Sequence, residues 1–306
     1  MTDSSNTSNI EALSETRENR GNNVAKSILE NLGDYLTFSS PTGERFVSLT
    51  VNSHTETWAI ESLELADIIG HRAFEEQGLV VSPHTIKLVQ RHLAAEARSG
   101  PVNKVFLRIA GDLNGLFVDL GNHEGSAVHI TPERVQIVAN SDVKFIRTPG
   151  MGSLPEPDLD GTINEAQALL KLEGDTWTLF VGALLASFHP SGPYPIVYLS
   201  GPHGSGKSFR CEILRRCIDP MDPLLVSLPR RPDHLWVAAR LQHVLAFDNI
   251  SEVPTWLAIR RGAFDRNTPC PQSQNSKCTE FWCQAKVNCA PPPTQGGVGR
   301  FGRYGR

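Results

Sequence analysis

The spacing of apolar positions predicts a small α+β domain in the first half of the chain. In the stretch RFVSLTVN, Phe46, Ser48 and Thr50 alternate with the apolar residues Val47, Leu49 and Val51, which predicts a strand. Apolar residues then recur at helical spacing, and Ser82-Pro83 is typical of the start of a helix. Asn114-Gly115 separates two apolar runs and indicates a β-hairpin. The predicted domain spans 25–147, with helices at 63–76 and after Ser82-Pro83, and further strands at 128–130 and 135–138.

The second half of the chain predicts a different organisation. Residues 148–162 are rich in Pro and Gly and indicate a linker or an extended strap. Strand and helix patterns then alternate, which predicts a parallel sheet with a site at the carboxyl edge of its strands. The fold class expected for 163–257 is therefore α/β. Its predicted elements are a helical region at 163–188 broken near Gly174, strands at 196–199, 224–226 and 243–248, and helices from Lys207 and at 233–240.

Composition narrows the expected partners and location. The net charge of −4 and the pI near 6.2 give no overall electrostatic attraction to nucleic acid, although they do not exclude a local basic patch. Residues 1–24 are rich in Ser, Thr, Asn and Glu and are expected to be disordered. They contain no signal-peptide pattern, and the longest apolar stretch, 179–188, is too short to span a bilayer, so a cytoplasmic protein without a membrane partner is expected. The scattered histidines, among them His54 and His129, are interpreted as surface or capping residues rather than ligands.

The stretch GPHGSGKS carries the strongest chemical signal. It matches G-x-x-x-x-G-K-[ST], and it lies between a predicted strand and a predicted helix. Glycines let successive N–H groups turn toward an anion, and the start of the helix adds positive potential. The alternative is a Gly-rich turn that only caps the helix. The residues predicted to bind nucleotide phosphates are Gly201, Gly204, Ser205, Gly206, Lys207 and Ser208.

The segment HVLAFDNIS supplies the second candidate element. A strand ending in Asp248 would place a carboxylate beside the phosphate loop, where P-loop NTPases hold the water shell of Mg²⁺. Ser208 and Asp248 are the predicted Mg²⁺ ligands, and ATP with Mg²⁺ is the predicted cofactor. The next residue is Asn249, whereas many such ATPases have an acid there that polarises water. Lys207, Asp248 and Asn249 are the catalytic candidates, and binding is better supported than hydrolysis.

Several motifs in this order resemble a family of bacterial ATP-binding proteins carried on prophages and other mobile elements. The motifs are SLPEP, HPSGPYPIVYLSGPHGSGKS, LRRCIDP, SLPRRPDHLWVAAR and VLAFDNIS. The resemblance as a whole covers roughly residues 46–257. Members are described as DNA primase–helicase ATPases, similar to the helicase half of phage primase–helicases. The resemblance implies an ATPase that acts on DNA during element replication, with single-stranded DNA as a partner and a ring-shaped homo-oligomer in the intact family.

The resemblance ends after Trp256-Leu257. Residues 258–306 are rich in Pro, Gly, Gln, Asn and Arg, have no persistent period, and are expected to be disordered. One base lost within the Leu257 codon would produce such an out-of-frame tail. Its four cysteines have no C-x-x-C spacing, so a zinc site has little support, and its Arg/Gly-rich end is a candidate for loose nucleic-acid contact.

Three functions remain open from the sequence. The first is an ATP-binding relative of mobile-element replication ATPases and helicases with weak or no hydrolysis. The second is a nucleotide-binding regulatory or adaptor module without turnover. The third is a small-molecule P-loop kinase, although the chain has no recognisable Arg-rich lid.

Overall fold

The structure is a computed structural model that describes residues 19–51, 54–112, 115–139, 141–190, 194–250 and 280–285. The described chain contains seven helices and eleven strands in three sheets. The helices are α1 (residues 19–30), α2 (Leu63–Gln77), α3 (Pro83–Ser99), α4 (Ile163–Leu170), α5 (Gly174–Ser187), α6 (Lys207–Ile218) and α7 (Pro232–Leu241). The strands are β1 (Tyr35–Ser39), β2 (Arg45–Val51), β3 (His54–Ala59), β4 (Ile109–Asp112), β5 (Gly115–Asp119), β6 (Ser126–Ile130), β7 (Val135–Ala139), β8 (Ile196–Leu199), β9 (Val226–Ser227), β10 (Val244–Ile250) and β11 (Glu280–Ala285).

The first layer packs α1, α2 and α3 against the antiparallel sheet β1-β2-β3. The predicted strand β2 and both predicted helices are confirmed. Helix α3 starts as expected, because the Ser82 side chain accepts a hydrogen bond from Thr85 N at 3.2 Å. The prediction of disorder for 1–24 is wrong for residues 19–24, which belong to α1. Apolar side chains of α1, such as Ile28, are buried in this core and hold the helix.

The second layer is the antiparallel sheet β4-β5-β6-β7. The predicted hairpin is confirmed, since β4 and β5 are antiparallel neighbours and Asp112 pairs with Gly115. Residues 113 and 114 lie outside the described residues. Strands β6 and β7 confirm the two short strands predicted next. One face of this sheet packs Leu120 and Val128 against Leu154 and Phe188. The sheet is therefore covered on that face by the strap and by the end of α5.

The strap, residues 148–162, is hydrogen-bonded to both halves of the molecule at its start. Gly152 N donates to Pro220 O at 2.8 Å, and Asp222 N donates to Gly150 O at 2.8 Å. Leu154 N donates to Leu120 O of the second layer at 2.7 Å. Of the two interpretations offered for this segment, an extended strap describes these hydrogen bonds better than a free linker.

The third sheet has the order β8-β11-β10-β9. Strand β9 is parallel to β10, whereas β11 is antiparallel to both β10 and β8. The strands β8, β9 and β10 consequently share one direction, and β11 opposes them. The sequence predicted a parallel sheet; the structure has this mixed one, and the P-loop fold itself stays a prediction.

Strand β11 falls within the tail that was expected to be disordered. Its backbone hydrogen bonds fill the gap between β8 and β10, which explains why a segment without a clear apolar period is ordered there. The remaining residues of 251–306 lie outside the described residues. The predictions of disorder, of a zinc site and of nucleic-acid contact for this tail concern those residues.

The elements that carry the candidate site share one core. Helix α6 contributes Cys211, Leu214 and Ile218, which pack with Val244 and Ala246 of β10. The helical region predicted at 163–188 is present as α4 and α5, and the helix predicted at 233–240 is α7. The strand predicted at 224–226 is shifted toward the C-terminus and appears as β9.

Candidate nucleotide site

The loop between β8 and α6 has the backbone geometry that its glycines predicted. Gly204 and Gly206 have φ values of 77° and 78°, and Ser205 between them is not among the residues with positive φ. This alternation turns successive N–H groups toward one side, as in anion-binding nests. Ser205 N donates to Pro202 O at 3.3 Å and closes the turn. A residue with a side chain at Gly204 or Gly206 would be strained at these φ values.

Lys207 is the first residue of α6, and its side chain folds back over the loop. Its Nζ atom donates to Gly201 O at 2.9 Å, to Pro202 O at 2.8 Å and to Ser205 Oγ at 3.4 Å. The residue is only 6% exposed. The loop therefore brings a cation to the N-terminal end of a twelve-residue helix, where the helix dipole also favours an anion.

Arg210 supports the loop from the side of the helix, and the sequence reasoning did not identify it. Its Nη1 atom donates to Ser205 O at 2.6 Å, and its Nε atom donates to Leu170 O at 3.3 Å. One guanidinium group thus connects the loop to the end of α4. The contact with Ser205 is local and could have been suspected, because an arginine in the first turn of a helix can reach the preceding loop.

Asp248 lies in β10, directly after the buried run Val244–Phe247 that begins this strand. The strand continues to Ile250, two residues further than predicted. Asp248 is half-buried, and its backbone pairs with Ser227 of β9. Asn249 is exposed and has a φ of 61°, a left-handed conformation that Asn adopts more readily than most residues.

The electrostatics of Asp248 connect it to α6. Burial raises the pKa of Asp248, and the nearby carboxylate of Glu212 raises it further. The hydrogen bond from the Asn249 backbone and the charge of Lys207 lower the same pKa. Lys207 and Glu212 therefore both lie within electrostatic range of Asp248, where α6 packs against β10.

Glu212 is a second residue that the sequence reasoning missed. It lies four residues after Ser208 on α6, so both belong to the same face of the helix. The available signal was this i, i+4 spacing from the predicted metal ligand. The Ser208 hydroxyl and the Asp248 carboxylate are oxygen donors of the kind that a divalent cation prefers, and a cation would offset the repulsion from Glu212 that raises the Asp248 pKa. The donor set fits Mg²⁺.

The predicted site residues thus fall into one region. The loop residues and Ser208 lie at the start of α6, Lys207 acts electrostatically on Asp248, and Asn249 follows directly. Arg210 and Glu212 are additional members. Among the described residues, no group of three or more His, Cys, Asp or Glu side chains is placed so that it could hold a metal ion. Among the same residues, no helix is long and apolar enough to cross a membrane.

Two of the histidines differ from their interpretation as surface or capping residues. His54 is 3% exposed, and its Nε2 atom lies 3.0 Å from Glu56 Oε1. His129 is half-buried and stacks on Phe117. Both residues lie in strands, where successive side chains point to opposite faces of the sheet. A surface position therefore cannot be inferred from the polarity of the residue alone.

Residues 168–260 match a family described as "Actinomycete integrative conjugative element replication protein". The matched part includes the last three residues of α4, the loop, α6, α7 and β10. No curated protein and no solved structure matches the chain. The segment that contains the candidate nucleotide site is therefore similar to a replication protein of mobile genetic elements.

Proposed function

We propose that this chain is a P-loop protein of mobile-element replication that binds ATP with Mg²⁺ and hydrolyses it slowly at most. The observation that carries the proposal is the position of Lys207. Its ammonium group is buried at the start of α6, where it donates hydrogen bonds to carbonyl oxygens of the loop. In that loop, glycines with positive φ flank a residue without positive φ. This is the arrangement expected for a loop that receives a polyphosphate.

The division of labour among the residues follows from their chemistry. The N–H groups of the loop and the start of α6 would hold the phosphate oxygens, and Lys207 would move from its carbonyl partners to the phosphates. Ser208 and Asp248 are the oxygen donors that would hold Mg²⁺, with Glu212 close to Asp248. Bound Mg²⁺ would supply charge neutralisation of the phosphates.

Slow hydrolysis is proposed because of Asn249. Its amide can orient a water molecule but cannot accept that molecule's proton, and the residue is exposed in a left-handed conformation. The alternative of a nucleotide-binding adaptor module is equally consistent with Asn249. It differs from the proposal only in that it would hydrolyse no ATP. A phosphate-release assay with and without single-stranded DNA distinguishes them, and rapid DNA-stimulated turnover would contradict the proposal.

Calorimetric titration with ATP and Mg²⁺ tests the binding site itself. We expect Lys207→Ala to weaken ATP binding by about 2–4 kcal/mol, the scale of a lost charge-assisted contact in a partly buried site. Lys87→Ala is the matched control, because Lys87 is an exposed lysine on α3, outside the site. Equal ATP affinity of wild type and Lys207→Ala, with both chains folded by circular dichroism, would refute the assignment.

A further inference from the structure

The sheet β4-β5-β6-β7 carries a cavity that the candidate nucleotide site does not use. We call it the sheet cavity; its volume is about 620 Å³, which is within the range of small-molecule sites. It lies between the sheet and the segments that precede β4 and follow β7, outside the residues similar to the replication-protein family. The side chains that matter below are Lys104, Phe106, Phe117, His129, Asp142 and Lys144.

An ordered aromatic pair lines this cavity. Phe117 of β5 and His129 of β6 are register partners, and their rings stack with centroids 4.1 Å apart and planes inclined by 4°. Gln136 of β7 is the register partner of His129, and its side-chain nitrogen Nε2 lies 3.4 Å from His129 Nδ1. A Cβ atom at Gly115 would lie only 3.1 Å from His129 Nε2, so glycine leaves room for this ring. The sheet thus presents a pre-oriented stack of flat rings.

Two lysines give the cavity a positive balance within an acidic protein. Lys104 and Lys144 line it, and Asp142 is the only acid among the lining residues. The backbone fixes both lysine-bearing segments, because Phe106 N donates to Lys144 O at 3.0 Å and Ile146 N donates to Phe106 O at 2.8 Å. Within the part of the chain that the structure describes, neither ammonium group takes part in a hydrogen bond or an ion pair. Both are therefore available to an anion.

We propose that the sheet cavity binds one nucleotide unit of single-stranded DNA, with the base against Phe117 and His129 and the backbone phosphate at Lys104 and Lys144. Stacked aromatic rings flanked by lysines are the combination that takes single-stranded nucleic acid without sequence preference. A phosphodiester carries one negative charge, which matches two lysines beside one aspartate. A free triphosphate carries several negative charges, which is more than two lysines beside one aspartate would neutralise. The proposal does not depend on ATP binding.

Fluorescence anisotropy of a labelled oligothymidine of about 20 nucleotides tests the proposal on the full chain, in EDTA and without nucleotide. Lys104→Gln and Lys144→Gln should each weaken binding and make the negative slope of log affinity against log salt shallower by about 0.7. Phe117→Leu keeps an apolar side chain but removes the ring, so affinity should fall by about tenfold with the slope unchanged. Lys87→Gln, an exposed lysine on α3, should change neither quantity.

Three results would overturn the proposal. The first is unchanged affinity and salt dependence in the Lys104→Gln/Lys144→Gln double variant, whose side chains are not part of the core and whose folding is checked by thermal unfolding. The second is displacement of the oligonucleotide by ATP from a Lys207→Ala chain, because that result would assign the cavity to a free nucleotide. Loss of oligonucleotide binding in Lys207→Ala alone, with the cavity variants unaffected, would also place the DNA elsewhere.

Discussion

The Nε atom of Arg108 lies 3.1 Å from Oδ1 of Asp219, and both side chains are almost completely excluded from solvent. The other carboxylate oxygen of Asp219 accepts hydrogen bonds from His243 N at 2.8 Å and from Val244 N at 3.0 Å. Asp219 directly follows α6, and Val244 begins β10. One carboxylate therefore joins α6, β10 and, through Arg108, the second layer.

Arg108 completes the junction with its remaining donors. Its Nη1 atom donates to Asp119 O at 3.1 Å and its Nη2 atom to Gly152 O at 2.8 Å. The guanidinium group thus contacts β5, the strap and the end of α6 at once. Since a buried charge that loses its partner is costly, this junction should respond strongly to a single substitution.

Asp219→Asn should lower the free energy of unfolding by about 3–5 kcal/mol. The amide keeps the shape of the carboxylate, but its NH₂ group meets N–H donors and leaves the Arg108 charge uncompensated. Urea unfolding monitored by circular dichroism would show a lower midpoint. Asp233→Asn is the matched control, because Asp233 pairs with Arg231 at the surface, and it should leave the midpoint nearly unchanged. Equal midpoints for the two variants would contradict the role assigned to the junction.

Helix α3 and strand β3 show how far sequence patterns determine the fold. The start of α3 was predictable because its signal is local: Ser82 caps the helix and Pro83 occupies the first turn. Strand β3 was missed because two of its buried positions are polar. Thr57 is 2% exposed and shares a hydrogen bond of 2.8 Å with Ser48 across the sheet, so the apolar period is hidden. The Arg108–Asp219 pair joins residues 111 positions apart, and no local pattern contains it.

The candidate site likewise has one part that the sequence predicts and another that it does not. The glycines, Lys207 and Ser208 form one continuous motif, so their arrangement follows from the sequence. Arg210 reaches Leu170, 40 positions earlier, and the effect of Glu212 on Asp248 requires α6 to pack against β10. These contacts arise from tertiary packing, and a single sequence does not reveal them.

Asp248→Asn should remove most of the dependence of ATP affinity on Mg²⁺ and leave the affinity in EDTA nearly unchanged. The carboxylate would act through the metal, whereas the loop and Lys207 would act on the phosphates directly. Titrations of wild type and variant with ATP, each with Mg²⁺ and with EDTA, give the four affinities needed. A variant that binds ATP much more weakly than wild type in EDTA would show that Asp248 has another role.

Asp248→Asn should also raise thermal stability slightly at pH 7 in metal-free buffer. Burial first, and then Glu212, raise the pKa of Asp248 above its unfolded value, so keeping the carboxylate ionised costs folding free energy. That cost is fully present above the folded pKa and disappears as the pH falls toward the unfolded pKa. The difference in Tm between variant and wild type should therefore shrink as the buffer is acidified to about pH 4. A Tm difference that grows on acidification would show that folding lowers the pKa of Asp248 and does not raise it.

Glu212→Gln provides an independent check on the same electrostatic group. Removing the Glu212 charge lowers the pKa of Asp248, so the pH below which Mg²⁺ ceases to strengthen ATP binding should move to a lower value. Glu165→Gln on α4 is a suitable control, since Glu165 is exposed and does not act on Asp248. An identical pH profile for wild type and Glu212→Gln would mean that Glu212 does not influence the site.

Arg210→Lys should weaken ATP binding by about tenfold without a large change in global stability. Lysine keeps the positive charge but cannot make the two hydrogen bonds that join Ser205 O to Leu170 O, so the loop loses its support while the helix keeps a good helix former. Hydrogen exchange followed by mass spectrometry should show faster exchange in peptides covering 201–206 and unchanged exchange in α3. Arg216→Lys, an exposed arginine on the same helix, should change neither affinity nor exchange. Unchanged loop exchange together with weakened binding would mean that Arg210 contacts the nucleotide itself, and unchanged binding would show that the loop holds its conformation without this contact.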